Sequence, residues 1–78
     1  MPTVMRIGPY RFFFYAGDGD EPLHIHVERE SMIAKFWVEP VRLAESGGFS
    51  RHELSDIERL VSEHRRTLTE AWYDYFGS

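Results

Sequence analysis

His24-Ile25-His26-Val27-Glu28-Arg29-Glu30-Ser31-Met32-Ile33-Ala34-Lys35-Phe36-Trp37-Val38 reads as two strands joined by a tight turn at Glu30-Ser31. A two-residue turn sets which residues face each other, so Arg29 opposes Met32, Val27 opposes Ala34 and Ile25 opposes Phe36. These pairs build one apolar face, while His26 meets Lys35 and His24 meets Trp37 on the other. A slip of one residue would mix the two faces, so the alternation itself argues for this register. The turn carries no Asn-Gly or Asp-Gly pair, and its length rests on the strand pattern alone.

Upstream, Thr3 to Ile7 and Tyr10 to Ala16 are rich in β-branched and aromatic residues on either side of Gly8-Pro9, which predicts an opening hairpin. Gly17-Asp18-Gly19-Asp20-Glu21-Pro22 is a polar loop that leads into the strand Leu23 to Arg29, and Met32 to Val38 follows it. Pro40 to Leu43 can add a short edge strand, where a proline at the start is tolerated. Beyond Gly47-Gly48 the pattern turns helical. Ser50-Arg51-His52-Glu53 has the capping-box form, and Phe49 with Leu54 fits the hydrophobic staple beside it. Leu54, Ile57, Leu60, Val61, His64, Leu68, Ala71, Trp72, Tyr75 and Phe76 recur every three or four residues as one stripe, and Gly77 ends it. The expected fold is a single α+β domain over 1–78 in two layers. An antiparallel sheet of about four strands (3–43) is covered on one face by one long C-terminal helix (50–76). The other face is left to water, a ligand or a second chain.

Composition narrows the function. Seventy-eight residues make one domain, and 42% hydrophobic residues with six Phe supply one core. A domain this small hides only about 60% of its unfolded surface, so little surplus stability is expected. The net charge of -4 disfavours a broad nucleic-acid surface, RNA included. No apolar stretch approaches the roughly 20 residues that span a bilayer, and the N-terminus lacks a signal peptide's pattern, so the expectation is a soluble cytoplasmic protein. With no cysteine, disulfides, thiolate zinc sites and cysteine nucleophiles are excluded, and any metal must be held by His and carboxylate.

His24 and His26 are the sharpest chemical feature. Side chains two apart on a strand point the same way with Cα atoms about 6.7 Å apart, so both imidazoles can reach one ion at about 2.0–2.1 Å. Glu28 shares their face, and Asp18 or Asp20 in the preceding loop can supply an oxygen ligand. Three readings stand side by side: two histidines on the wetter face of a strand, a metal site, or an acid–base or anion-binding pair working near the unperturbed pKa of about 6.5. Lys35 opposite His26 weighs against a divalent cation and toward a phosphate or carboxylate. An RNase-like arrangement would use one histidine as base and the other as acid. Lys35 or Arg11 would then stabilise charge, and Trp37 or Tyr15 would stack a base. Against it, Trp37, Phe12, Phe13, Phe14 and Tyr15 are more simply core or interface residues. His52 in the first helical turn and His64 on the apolar stripe are less promising, and Ser50 is a cap before it is a nucleophile. Arginines 51, 59, 65 and 66 alternate with Glu58, Glu63 and Glu70, and Glu63 can pair with Arg66, as on a solvated helix face.

Several blocks carry a family resemblance: Pro2-Thr3, Arg11-Phe12-Phe13-Phe14-Tyr15, Glu21-Pro22-Leu23-His24-Ile25-His26-Val27-Glu28, Ala34-Lys35-Phe36-Trp37-Val38, Gly48-Phe49 and Trp72-Tyr73. In that order the chain resembles the small bacterial domain-of-unknown-function family 4160 over nearly its whole length. Many members resemble Pro-Pro-His where this chain reads Pro22-Leu23-His24, a departure that alters the start of the strand and leaves the histidines in place. The resemblance implies a bacterial cytosolic protein whose gene often neighbours another small uncharacterised domain, hence toxin–antitoxin proposals. It implies no activity, cofactor or catalytic residue.

Two functional classes follow. The preferred one is a protein-interaction module, plausibly half of a toxin–antitoxin-like pair, because so small a chain has little room for a cleft of the usual roughly 300–1,000 Å³. It would use Tyr15, Glu28 and Trp37 as a partner face, with a protein partner or a homodimer on the open sheet face or edge and no cofactor. The alternative is a small RNase or hydrolase using His24, His26 and Lys35, or a metal-binding protein holding an ion such as zinc on His24 and His26 with Asp18 or Asp20.

Overall fold

Short runs of β-branched and aromatic residues separated by tight turns build a meander. In the computed structural model, which describes residues 2–77, β1 (Thr3–Ile7), β2 (Tyr10–Phe13), β3 (His24–Arg29), β4 (Met32–Val38) and β5 (Val41–Glu45) form one antiparallel sheet in chain order. A 3-10 turn, Ala16–Asp20, interrupts the connection from β2 to β3. Two helices follow, α1 (Arg51–Glu63) and α2 (Arg65–Phe76).

The central hairpin has the expected register: Ile25 faces Phe36, Val27 faces Ala34, Arg29 faces Met32, His26 faces Lys35 and His24 faces Trp37. Its turn works without a favoured dipeptide because Glu30 takes the left-handed φ of 56°. β5 is a full edge strand, paired through Phe36 with Leu43 and Val38 with Val41. The sheet therefore has five strands, one more than the about four expected, because the apolar alternation of Val41 and Leu43 continues past Pro40.

The core lies between one sheet face and the helices. Phe12, Ile25, Val27, Ala34, Phe36 and Val38 from the sheet meet Phe49, Ile57, Val61, Leu68 and Trp72, all buried. At the start of α1 the Ser50 hydroxyl accepts the Glu53 backbone N–H at 3.2 Å. The Glu53 carboxylate does not close the capping box. It accepts from Tyr10 Oη at 2.8 Å and from Arg29 Nη1 at 2.7 Å, tying the helix start to the sheet. Gly47 is sterically required before it: a Cβ there would lie 1.9 Å from the Ile33 carbonyl oxygen, at a φ of +62°.

The helical layer is two segments, not the single helix expected. His64, with φ -109° and ψ 19°, breaks it, and its Nδ1 donates to the Leu60 carbonyl at 2.9 Å. The reason is length. Residues 51–76 as one straight helix would run about 39 Å, whereas the longest dimension of the molecule is 34 Å. The break also removes the Glu63–Arg66 spacing, and the ion pairs that form are Arg59 with Asp56 and Glu63, and Arg66 with Glu70. Beyond the break α2 brings Trp72 and Phe76 against Phe14, with Tyr75 flanking it.

Candidate metal centre

The second sheet face is covered where the sequence left it open. The Ala16–Asp20 turn folds over the start of β3 and is tied down at three places. Asp18 faces both strand histidines, Glu21 accepts from Lys35 Nζ at 2.7 Å, and Gly19 lies against Phe76. The last contact needs glycine, since a Cβ would sit 2.7 Å from Phe76 Cδ1. Consequently His24 is not on a wet face: its side chain has no exposed surface, and His26 keeps 12%.

Strand alternation puts the two imidazoles side by side, with ring centroids 5.1 Å apart and nearly perpendicular planes. Each is held by aromatic walls. Phe13 stacks on His26 and Tyr15 meets it edge-on, while Trp37 and Trp72 meet His24 edge-on. Trp72 belongs to α2, so the helix that covers one sheet face also reaches the site at its end.

The nitrogen roles are fixed by chemistry. His24 Nδ1 lies 2.9 Å from the Pro22 carbonyl oxygen, which can only accept, so Nδ1 carries a proton. In the neutral tautomer this leaves a lone pair on Nε2, a buried atom 3.0 Å from Asp18 Oδ2. That oxygen already accepts the Tyr15 backbone N–H at 2.8 Å, and it is bonded to His26 Nε2 at 3.2 Å. His24 Nε2 is thus close to the carboxylate without being aligned to it, and it is the buried side-chain nitrogen or oxygen left without a hydrogen bond among the described residues. One potential ligand atom from each of Asp18, His24 and His26 lies within 4.8 Å of the other two.

Burial pushes His26 below the usual histidine range and outweighs the Asp18 carboxylate that would raise it, and its Nε2 donates to Asp18 Oδ2 at 3.2 Å. Burial would raise Asp18, but the Tyr15 N–H, a proton from His24 and the positive charge the two imidazoles carry when protonated hold it below the ordinary aspartate value.

The structure sorts the residues singled out from the sequence. It brings together His24, His26 and Asp18; Asp20 is not part of the group. Tyr15 and Trp37 border it. Glu28 turns away to Arg11 Nε at 2.8 Å, and that guanidinium also bonds Thr3 and lies over Phe13. Lys35 sits 4.7 Å over the Trp37 ring, with its charge met by Glu21, which weakens its expected veto on a cation. Two participants were missed. The Pro22 carbonyl that orients His24 is a backbone atom with no sequence signal, and Trp72 reads in the sequence only as part of the helical apolar stripe. His52 is exposed, and His64 serves the helix break.

A family model described as "Domain of unknown function (DUF4160)" matches residues 10–73, from the start of β2 into α2. No curated protein and no solved structure matches the chain. The match spans the Asp18, His24 and His26 group and most of both layers, and the chain belongs to the DUF4160 family.

Proposed function

We propose that this chain is a small metal-binding domain holding one divalent transition ion, zinc foremost, between Asp18, His24 and His26. The observation that carries the reading is the buried His24 Nε2, unbonded and 3.0 Å from a carboxylate oxygen. Ligands with bonds of about 2.05 Å stand roughly 2.9 Å apart at right angles and roughly 3.3 Å apart in a tetrahedron. The separations of 3.0 and 3.2 Å from Asp18 Oδ2 to the two imidazoles fit that range, while the spread of up to 4.8 Å across the group exceeds the roughly 4.1 Å that two such bonds can span, so the two rings must close on the ion as it binds. Ligands aim at a shared point and not at each other, which accounts for the misalignment as well as the proximity. The Pro22 carbonyl supplies the outer hydrogen bond that orients a ligating histidine.

Thermal melting of the untagged chain tests this. At a free zinc concentration a hundred times Kd, an ion that binds only the folded state adds about 2.7 kcal/mol, which raises Tm by roughly 10–20 °C for a domain of this size. Chelator should reverse the rise and Asp18→Asn should abolish most of it. An unchanged Tm would sink the reading.

A second reading rests on the edges of the sheet. β1 and β5 each have one unpaired side, and Leu43 on β5 is 44% exposed. They support an interaction module that takes a partner or second copy by edge pairing, while a place in a bacterial cytoplasm, as half of a toxin–antitoxin-like pair, rests on the family resemblance alone. Light scattering of the untagged chain checks the homodimer: a dimer mass that falls to the monomer in Leu43→Lys supports it, and a monomer at every concentration removes it. Acid–base catalysis draws less support, because His24 is sealed from solvent and both imidazoles converge on one carboxylate.

A further inference from the structure

We infer that β5 pairs antiparallel with β5 of a second copy of this chain, about a twofold axis through Leu43 and Ala44, so that Arg42 of each copy stands opposite Glu45 of the other; this rests on the edge-pairing reading above. The ladder between β4 and β5 sets the faces. Arg42 faces Trp37, Leu43 faces Phe36 and Glu45 faces Lys35, so Ala44 is an extra residue that β4 does not match. Trp37 and Lys35 are two apart on β4 and share a face, and Arg42 and Glu45 therefore share it too, although they are three apart. Leu43 stands on the opposite, core-facing side and is 44% exposed at the edge.

Two twofold registers keep like faces together over most of β5. An axis at Arg42 sets that guanidinium against its own copy. An axis at the bulge, where Leu43-Ala44 counts as one step, sets Arg42 against Glu45 twice and brings Leu43 to its own copy. Like charges directly opposite destabilise a strand pair and opposite charges stabilise it, so charge selects the axis at the bulge. Both side chains are exposed, and neither charge is taken up across the chain's own ladder. Trp37 opposite Arg42 is uncharged, and Lys35 opposite Glu45 is bonded to Glu21.

The other edge does not offer this. The single charge of β1 is Arg6, with no acid on the strand to meet it across a twofold axis. Pairing of β1 with β5 of the next chain would be head-to-tail and would extend into a filament instead of closing. Bulges commonly guard an edge against pairing. Here the bulge is what makes the strand self-complementary, because it moves Glu45 onto the face of Arg42.

Sedimentation equilibrium of the full, untagged chain at concentrations up to about 1 mM reads the dimer. The parent should dimerise. Arg42→Glu and Glu45→Arg should each weaken the dimer about tenfold or more, since each turns both cross-axis pairs into like-charge pairs. Mixed in equal amounts, the two variants should form a heterodimer, in which every cross-axis pair is again opposite in sign, and the double variant should recover the parent's affinity. A dimer that ignores both changes, that is strengthened by Arg42→Glu, or that is weakened without recovery in the mixture and the double variant overturns this pairing and leaves edge pairing elsewhere standing. A parent that is monomeric at every concentration overturns this pairing and the homodimer together.

Discussion

His24 donates through one nitrogen to a backbone carbonyl and presents the other, bare, to a carboxylate. Only a cation resolves that arrangement: a proton on Nε2 or a metal ion. A proton on Nε2 would point along the ring axis, yet Nε2 makes no aligned hydrogen bond to the Asp18 oxygen 3.0 Å away, and this is what supports the proposed ion. A different residue gives a prediction independent of the ion. Tyr10 and then Arg29, both bonded to Glu53, hold that carboxyl below the ordinary glutamate value of 4.5. Because the folded-state pKa is depressed, the stability this group contributes is present above that value and is lost as pH falls through the folded pKa. Acid titration of the unfolding midpoint should therefore show a loss below about pH 4.5 that Glu53→Gln lacks. Parallel curves for the two chains would contradict the assignment. At this scale the sequence pointed to both histidines and to Asp18 as one of two options. It could not choose Asp18 over Asp20, because the choice depends on a 3-10 turn closed by Tyr15 and on the fit of Gly19 against Phe76, contacts made across the fold.

Among the elements, the hairpin of β3 and β4 was legible in full. Its period of two, with apolar Ile25, Val27, Ala34 and Phe36 on one side, tolerates no slip. The start of the helix was equally plain from Ser50 and Phe49. The break at His64 was not, because the three- and four-residue spacing continues through it from Val61 to Leu68. Lengths carried the missing signal: strands of at most seven residues span about 23 Å, and a straight helix of about 39 Å overhangs them. The turn before α1 yields a prediction at this scale. Gly47→Ala places a methyl group on the Ile33 carbonyl in a left-handed conformation, and the obstacle is backbone that cannot swing away. Denaturant unfolding should show a loss of more than about 1 kcal/mol, whereas a tolerated Gly→Ala change stabilises by up to about that amount. Gly48→Ala, with only the Met32 side chain nearby, should cost less. Equal losses would mean that φ alone, and not the close approach, sets the requirement.

As a whole, the molecule is as small as its length allows, with a radius of gyration of 11.4 Å against about 11.5 Å expected. Two helices cover one sheet face, and a short acidic turn covers part of the other. That turn places Asp18, Asp20 and Glu21 close together, so an ion beneath Asp18 would offset their repulsion as well as cross-link the turn to β3. For a chain of this size total stability is roughly 4–12 kcal/mol, so the proposed ion would supply a large share of it. Among the described residues no helix is long and apolar enough to cross a membrane. The central claim is a stoichiometry with an address, and native mass spectrometry of the untagged, metal-stripped chain during zinc titration reads it directly. One zinc per chain is predicted for the parent and for Asp20→Asn, and none for the His24→Ala, His26→Ala double variant under the same conditions. No zinc on the parent, or one zinc still bound to the double variant, would contradict the account.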